Sequence, residues 1–118
     1  MPDLLFFLLL GHYFGDFAFQ SDRVAQNKGT SKRVLTYHVS IYVLTIALFL
    51  AAGLLINDES GQLFRWFTAI ALIFLFAQHW VQDFAKGKWF NGTKQGFYVD
   101  QALHLLFLFA IRILVYNG

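Results

Sequence analysis

The sequence predicts an all-α fold: a bundle of four transmembrane helices, built as two tandem helical hairpins in parallel repeat. Three observations predict it. Of the 118 residues, 58% are hydrophobic and 14% charged, against roughly 45–50% and about 25% in soluble domains. Four apolar segments follow one another, each near the ~20 residues that cross ~30 Å of hydrocarbon. One pattern is also written twice. His12-Tyr13-Phe14-Gly15-Asp16-Phe17-Ala18 returns 67 residues later as His79-Trp80-Val81-Gln82-Asp83-Phe84-Ala85.

The first helix is expected over residues 3–20, with Pro2 tolerated at its start. No positive stretch precedes Leu4, no small-residue cleavage site follows, and His12 and Asp16 interrupt the run, so it reads as a retained helix rather than a signal peptide. Residues 21–32 are polar and carry Asp22, Arg23, Asn27, Lys28 and Lys32. A second helix covers 33–56, and residues 57–61, Asn-Asp-Glu-Ser-Gly, form an acidic turn. The third helix covers 62–85. Residues 86–96 read as a basic loop with an interfacial aromatic pair, Trp89-Phe90. The fourth helix covers 97–116. The chain is too short for a second domain, so 1–118 is one membrane-embedded domain, with repeat one at about 3–56 and repeat two at about 62–116.

Charge placement orients the bundle. Arg23, Lys28, Lys32 and Arg33 lie in or beside the first link, and Lys86, Lys88 and Lys94 lie in the third. The second link holds acids, with Arg65 just beyond it. The positive-inside rule puts both basic links in the cytosol and both termini on the other side. Arg112 is expected to snorkel outward. Gly11 and Gly15 have the small-xxx-small spacing of close helix contacts.

The duplication extends beyond the repeated heptapeptide: His38 and His104 are 66 residues apart. Two hairpins of one orientation imply a pseudo-twofold along the membrane normal. Asp100 breaks the symmetry, because its counterpart region near Thr36 holds no acid. Residues i and i+4 share a helix face, so His12/Asp16, His79/Asp83 and Asp100/His104 each aim an imidazole and a carboxylate one way. Counted from the basic helix ends, the four His lie ~7–12 Å deep and the three Asp ~4–6 Å deep. Seven polar groups thus share one layer.

Charged groups at that depth cost ~2.5–3.5 kcal/mol each on insertion scales and need partners inside the bundle. A divalent cation, or two, suits His12, Asp16, His38, His79, Asp83, Asp100 and His104. Nitrogen and oxygen donors without sulfur favour zinc first, with iron or manganese as alternatives. Two dications, three carboxylates and one hydroxide sum to zero charge. Three competing readings follow from the same residues: single intramembrane His as interhelical hydrogen-bonders, His–Asp pairs that only satisfy each other, and bis-His haem, which leaves the acids unexplained. Gln20, Gln78, Gln82 and Gln101 flank the donors, while Tyr13, Tyr37, Trp80 and Tyr98 read as interfacial anchors. Without Cys, disulfides, thiolate metal sites and iron–sulfur clusters are excluded. No phosphate loop, dinucleotide fingerprint or serine-nucleophile motif is present.

With His12-x-x-x-Asp16-Phe17, Gln20-x-Asp22, Asn27-Lys28, His38 and Asp100-Gln-Ala-Leu-His104, nearly the whole chain resembles a family of small bacterial integral membrane proteins known as a domain of unknown function, number 3307. The resemblance implies an inner-membrane location and brings no activity. More distantly, the helical His/Asp pattern is similar to inner-membrane metal-dependent hydrolases related to the zinc phospholipase C type, whose N-terminal Trp ligand this chain lacks.

The function expected from these readings is a metal-dependent hydrolase acting on a lipid or lipid-linked phosphate or ester at the cytosolic leaflet. Asp16, Asp83 and Asp100 are the candidate catalytic carboxylates, and a metal-bound water is the nucleophile. Lys28, Lys86, Lys88 and Lys94 are the candidate head-group contacts. The alternatives are a transition-metal or proton transporter, and a structural or partner-binding membrane protein whose His–Asp pairs lock the bundle. Membrane lipids are the expected partners, a homo-oligomer is allowed, and no nucleic acid is expected.

Overall fold

Short polar side chains start three of the helices by accepting the backbone N–H groups that a first turn leaves bare. In a computed structural model that describes residues 2–89 and 93–117, Asp3 caps α1 (Leu4–Tyr13), Ser21 caps α2 (Asp22–Asn27) and Ser31 caps α3 (Lys32–Ile56). A π-helical segment, Phe14–Ala18, continues α1. A 3-10 turn, Ser60–Phe64, precedes α4 (Trp66–Trp89), and α5 spans Lys94–Asn117. The described residues are all-α, with no strand among them.

Three helices are long and apolar enough to cross a membrane. Their best windows in α3, α4 and α5 have mean hydropathies of 2.5, 1.2 and 1.6. The first helix is shorter than expected. Its 10 α-helical and 5 π-helical residues span ~22 Å at 1.5 Å per residue, below the ~30 Å hydrocarbon core. Three other boundaries also move. Residues 62–64 belong to the 3-10 turn and Arg65 is extended, while the Gln62 carbonyl accepts the Thr68 hydroxyl at 2.7 Å. The third helix continues past residue 85, so Lys86 and Lys88 ride on α4, where cations complement the partial negative charge of a helix C-terminus. α5 starts at Lys94 because Thr93 Oγ1 accepts the Gly96 N–H at 2.9 Å. The Trp89-Phe90 pair lies outside the described residues and side chains.

Chain path follows from contacts at one end. Asn57 donates to the Pro2 carbonyl at 2.9 Å, Tyr116 donates to Glu59 at 3.1 Å, and Arg112 grips Asp3 through two bonds of 2.6 and 2.7 Å. That guanidinium holds the Asp3 carboxyl down at about 2. Arg112, expected to snorkel outward, is tied to the α1 cap at that end. Seven of the nine Lys and Arg collect at the opposite, basic end.

Between the ends, Leu4 and Leu8 of α1 meet Ile46, Leu50 and Leu54 of α3 in one core with Leu75, Leu108, Ile111 and Val115. The outward faces are apolar as well: Leu48 is 70% exposed and Ile73 69%. Helices apolar all round suit a hydrocarbon solvent. Gly11 and Gly15 do face α3 closely; a Cβ on Gly15 would stand 3.0 Å from the Tyr42 ring and 3.3 Å from its Cα. Gly53 is tighter, with Phe7 Cδ2 at 2.7 Å and Cγ at 2.8 Å from any added Cβ. Gly53→Ala is therefore expected to cost about 1–3 kcal/mol, as overpacking does, and to lower the thermal midpoint in detergent. An unchanged midpoint would show that Phe7 swings clear.

Candidate metal centre

Each candidate donor is presented by a helix at the basic end of the bundle. α4 sets His79 and Asp83 one turn apart, α5 does the same for Asp100 and His104, and α3 contributes His38 near its start. Asp16 comes from the π-helical segment, whose wide turn is held by the Phe19 N–H on the Phe14 carbonyl at 2.7 Å. π-turns are rare and cluster at functional sites. None of these residues, nor His12, is more than 5% exposed.

Four of the seven converge on one space. His38 Nε2 lies 3.1 Å from Asp16 Oδ1, 3.3 Å from Asp83 Oδ2 and 3.3 Å from His79 Nε2. His79 Nε2 lies 3.7 Å from Asp16 Oδ1 and 3.2 Å from Asp83 Oδ2. These are five of the six edges of a tetrahedron. Zinc bonds of ~2.0–2.2 Å to nitrogen and oxygen give a regular tetrahedron with edges of ~3.3–3.6 Å. The donor spacing matches that figure to within a few tenths of an ångström, and the enclosed space has the size of an ion, not of a porphyrin.

Short distances alone would also fit His–Asp pairs that satisfy each other. The hydrogen-bond geometry argues otherwise. Asp16 Oδ1 and both Asp83 oxygens are buried without a hydrogen-bond partner, although nitrogens stand nearby. Buried carboxylates left in that condition are costly. A cation between such oxygens relieves that cost.

The fifth occupant is Lys28, from the end of α2. Its Nζ sits 3.6 Å from Asp16 Oδ1, 3.4 Å from Asp83 Oδ2 and 3.4 Å from His38 Nε2. Sequence reasoning gave Lys28 a head-group role, and no local pattern could have placed its ammonium among the donors. Tyr42 was also missed. Its hydroxyl bonds His12 Nδ1 at 2.8 Å, and its ring stacks on His79 at 3.8 Å. That signal was present, since Tyr42 lies one helical turn after His38.

His12 stands apart from the tetrahedron. Gln101 Oε1, which can only accept, lies 2.8 Å from His12 Nε2, so Nε2 carries the proton and Nδ1 takes the Tyr42 hydroxyl. No lone pair remains for a cation. The expected His12/Asp16 pair is not made directly, because the wide turn aims Asp16 at His38 and His79. Gln101 links the two instead, its Nε2 donating to Asp16 Oδ2 at 3.3 Å and to Asp100 Oδ2 at 3.2 Å. The other i, i+4 pairs are close: His79–Asp83 at 3.2 Å and Asp100–His104 at 3.4 Å.

Of the flanking residues, Gln82 donates to Asp100 Oδ1 at 3.1 Å and itself receives a bond from Gln78. Gln20 makes no such contact among the described residues. Lys86 pairs with Asp100 Oδ2 at 3.2 Å. Lys88 lies over the Phe84 ring at 4.7 Å, and with Lys28 and Lys32 it borders a groove of about 260 Å³. Lys94 is exposed at the start of α5, away from the cluster.

Residues 4–117 match a family model described as "Protein of unknown function (DUF3307)". No curated protein and no solved structure matches the chain.

Proposed function

The chain belongs to the DUF3307 family, and from that premise, which assigns no activity, we propose that it is a four-helix membrane protein of two parallel repeats that binds a divalent cation and hydrolyses a lipid or lipid-linked phosphate or ester. The observation that carries this reading is the tetrahedron of donors from Asp16, His38, His79 and Asp83, whose two carboxylate oxygens are buried without a hydrogen-bond partner. Zinc fits the donor set and spacing first; iron and manganese accept the same atoms. In this reading the basic end faces the cytosol, as its seven cations require, and both termini face away.

A bound cation lowers the pKa of a coordinated water towards ~7 and so supplies a nucleophile at neutral pH. Oδ2 of Asp16 lies outside the tetrahedron with a single hydrogen bond, from the Gln101 amide, and would be the carboxylate oxygen to take a proton from such a water, whereas Oδ2 of Asp100 is held by both Gln101 and Lys86. A cation held by Asp16 and Asp83 would take the place of the Lys28 ammonium between them. Lys28 also borders the groove with Lys32 and Lys88, so its ammonium would have a setting there suited to an anionic phosphate. Transport is disfavoured by the other half of the bundle. The core there is Leu, Ile and Val, and its buried Thr45 and Thr68 spend their hydroxyls on helix carbonyls. No relay of titratable groups continues through it among the described residues.

Elemental analysis of protein purified at neutral pH without chelator is expected to find at least one zinc-class ion per chain. Chelator should abolish phosphate or ester release from lipid-linked substrates in mixed micelles, and added metal should restore it. Protein without stoichiometric metal would remove the basis of the proposal. Metal-dependent ion uptake into liposomes without lipid turnover would replace hydrolysis with transport.

A further inference from the structure

We infer that a second divalent cation binds between Asp83, Asp100 and His104, sharing the Asp83 carboxylate with the first. This rests on the reading of the first site. Donor atoms of the three residues lie within 4.8 Å of one another. His104 Nε2 stands 3.4 Å from Asp83 Oδ1 and 3.4 Å from Asp100 Oδ1. Both His104 Nε2 and Asp83 Oδ1 are buried without a hydrogen-bond partner, and the residues are 1% and 2% exposed.

The two oxygens of Asp83 divide between the sites. Oδ2 meets His38 and His79, whereas Oδ1 meets His104. A carboxylate used this way bridges two cations, and two-metal hydrolytic sites place them ~3.5–4 Å apart. The outer support is also that of a ligand: Gln82 and Lys86 hold Asp100 by hydrogen bonds, as second partners fix coordinating carboxylates. His104 is further located by stacking on His79 at 4.1 Å.

The two sites differ in coordination. The first has four protein donors, the closed arrangement of structural zinc. The second has three, the arrangement that keeps a position for water or substrate. The nucleophilic water therefore belongs to the second site. Asp100 also lines a cleft of about 90 Å³ with Gln82, Lys86 and Val99, so the open position has a neighbouring space for the group to be cleaved. Lys28 and Lys86 add two positive charges to a neutral two-cation, three-carboxylate, one-hydroxide set. A phosphate dianion balances them.

The test is equilibrium dialysis of Mn²⁺ against the full chain in detergent, with electron paramagnetic resonance of the loaded protein. Wild type is expected to bind two ions per chain and show a spin-coupled signal. His104→Asn, and independently Asp100→Asn, should bind one ion and show an isolated six-line spectrum. One ion per chain in wild type, unaffected by His104→Asn yet lost in His79→Ala, would overturn the second site and leave the first standing. No bound ion in wild type would overturn both. The coupled signal of wild type decides the matter even if neither variant folds.

Discussion

Asp83→Asn is expected to lose bound cation from both positions and to lower hydrolysis by about 10³-fold or more. Asp83 is the residue on which the cluster closes, 3.3 Å from His38, 3.2 Å from His79, 3.4 Å from His104 and 3.4 Å from Lys28. Asn keeps its volume but removes the charge and one acceptor oxygen. A metal contributes several kcal/mol of charge stabilisation to a hydrolytic transition state, and each ~1.4 kcal/mol is tenfold in rate. His104→Asn, by contrast, should spare the first ion. The same variant separates a metal centre from a structural lock. In a metal centre, chelator lowers the thermal midpoint of wild type and leaves Asp83→Asn almost unmoved. In a lock, chelator does nothing to wild type, and Asp83→Asn strands Lys28 and three imidazoles at a cost of about 3–5 kcal/mol. A chelator-insensitive wild type whose Asp83→Asn form melts many degrees lower would settle for the lock.

What could be read in advance was whatever depends on periodicity or hydropathy. The α3 span matches its expected limits to within a residue, because its long apolar stretch is bounded by Lys32-Arg33 at one end and by Asn57-Asp58 at the other. The i, i+4 spacing brought His79 to Asp83 and Asp100 to His104 for the same reason. Places where local composition points one way and capping or backbone geometry another were illegible. Phe19 continues the apolar run, so hydropathy extends the first helix past the π-segment that ends it at Ala18. Lys86-Gly87-Lys88 looks like a loop, yet cations at a helix C-terminus favour continuation. The π-turn had the largest consequence. It parted Asp16 from His12, sent Asp16 to the tetrahedron, and left His12 to Tyr42 and Gln101. Lys28 was beyond reach of any local pattern, because only the return of the chain through α2 carries it to residues 12 and 55 positions away.

Lys28→Met is expected to tighten cation binding about 10–100-fold while weakening the apparent affinity for a phosphate-bearing substrate. In the structure the Lys28 ammonium lies within 3.6 Å of two carboxylates that the cation needs. Two unit charges 4 Å apart interact by about 4 kcal/mol at an effective dielectric constant of 20, so a bound dication and this ammonium cannot share the centre without penalty. The full penalty is not paid, since the four-carbon stem of Lys28 lets Nζ swing towards the groove it borders with Lys32 and Lys88. Met retains the stem's length and apolar packing and removes only the charge. Titration of Zn²⁺ against a competing chelator would show the gain as a lower Kd, and the substrate effect would appear as a raised KM with kcat changed much less. The opposite result, weaker cation binding in Lys28→Met, would mean that the lysine belongs to the loaded site, where its ammonium can hold a metal-bound hydroxide by hydrogen bond. Equal Kd values for the two proteins would mean that no cation enters the space Lys28 faces, and the tetrahedron would then be a lysine-bridged clasp between helices.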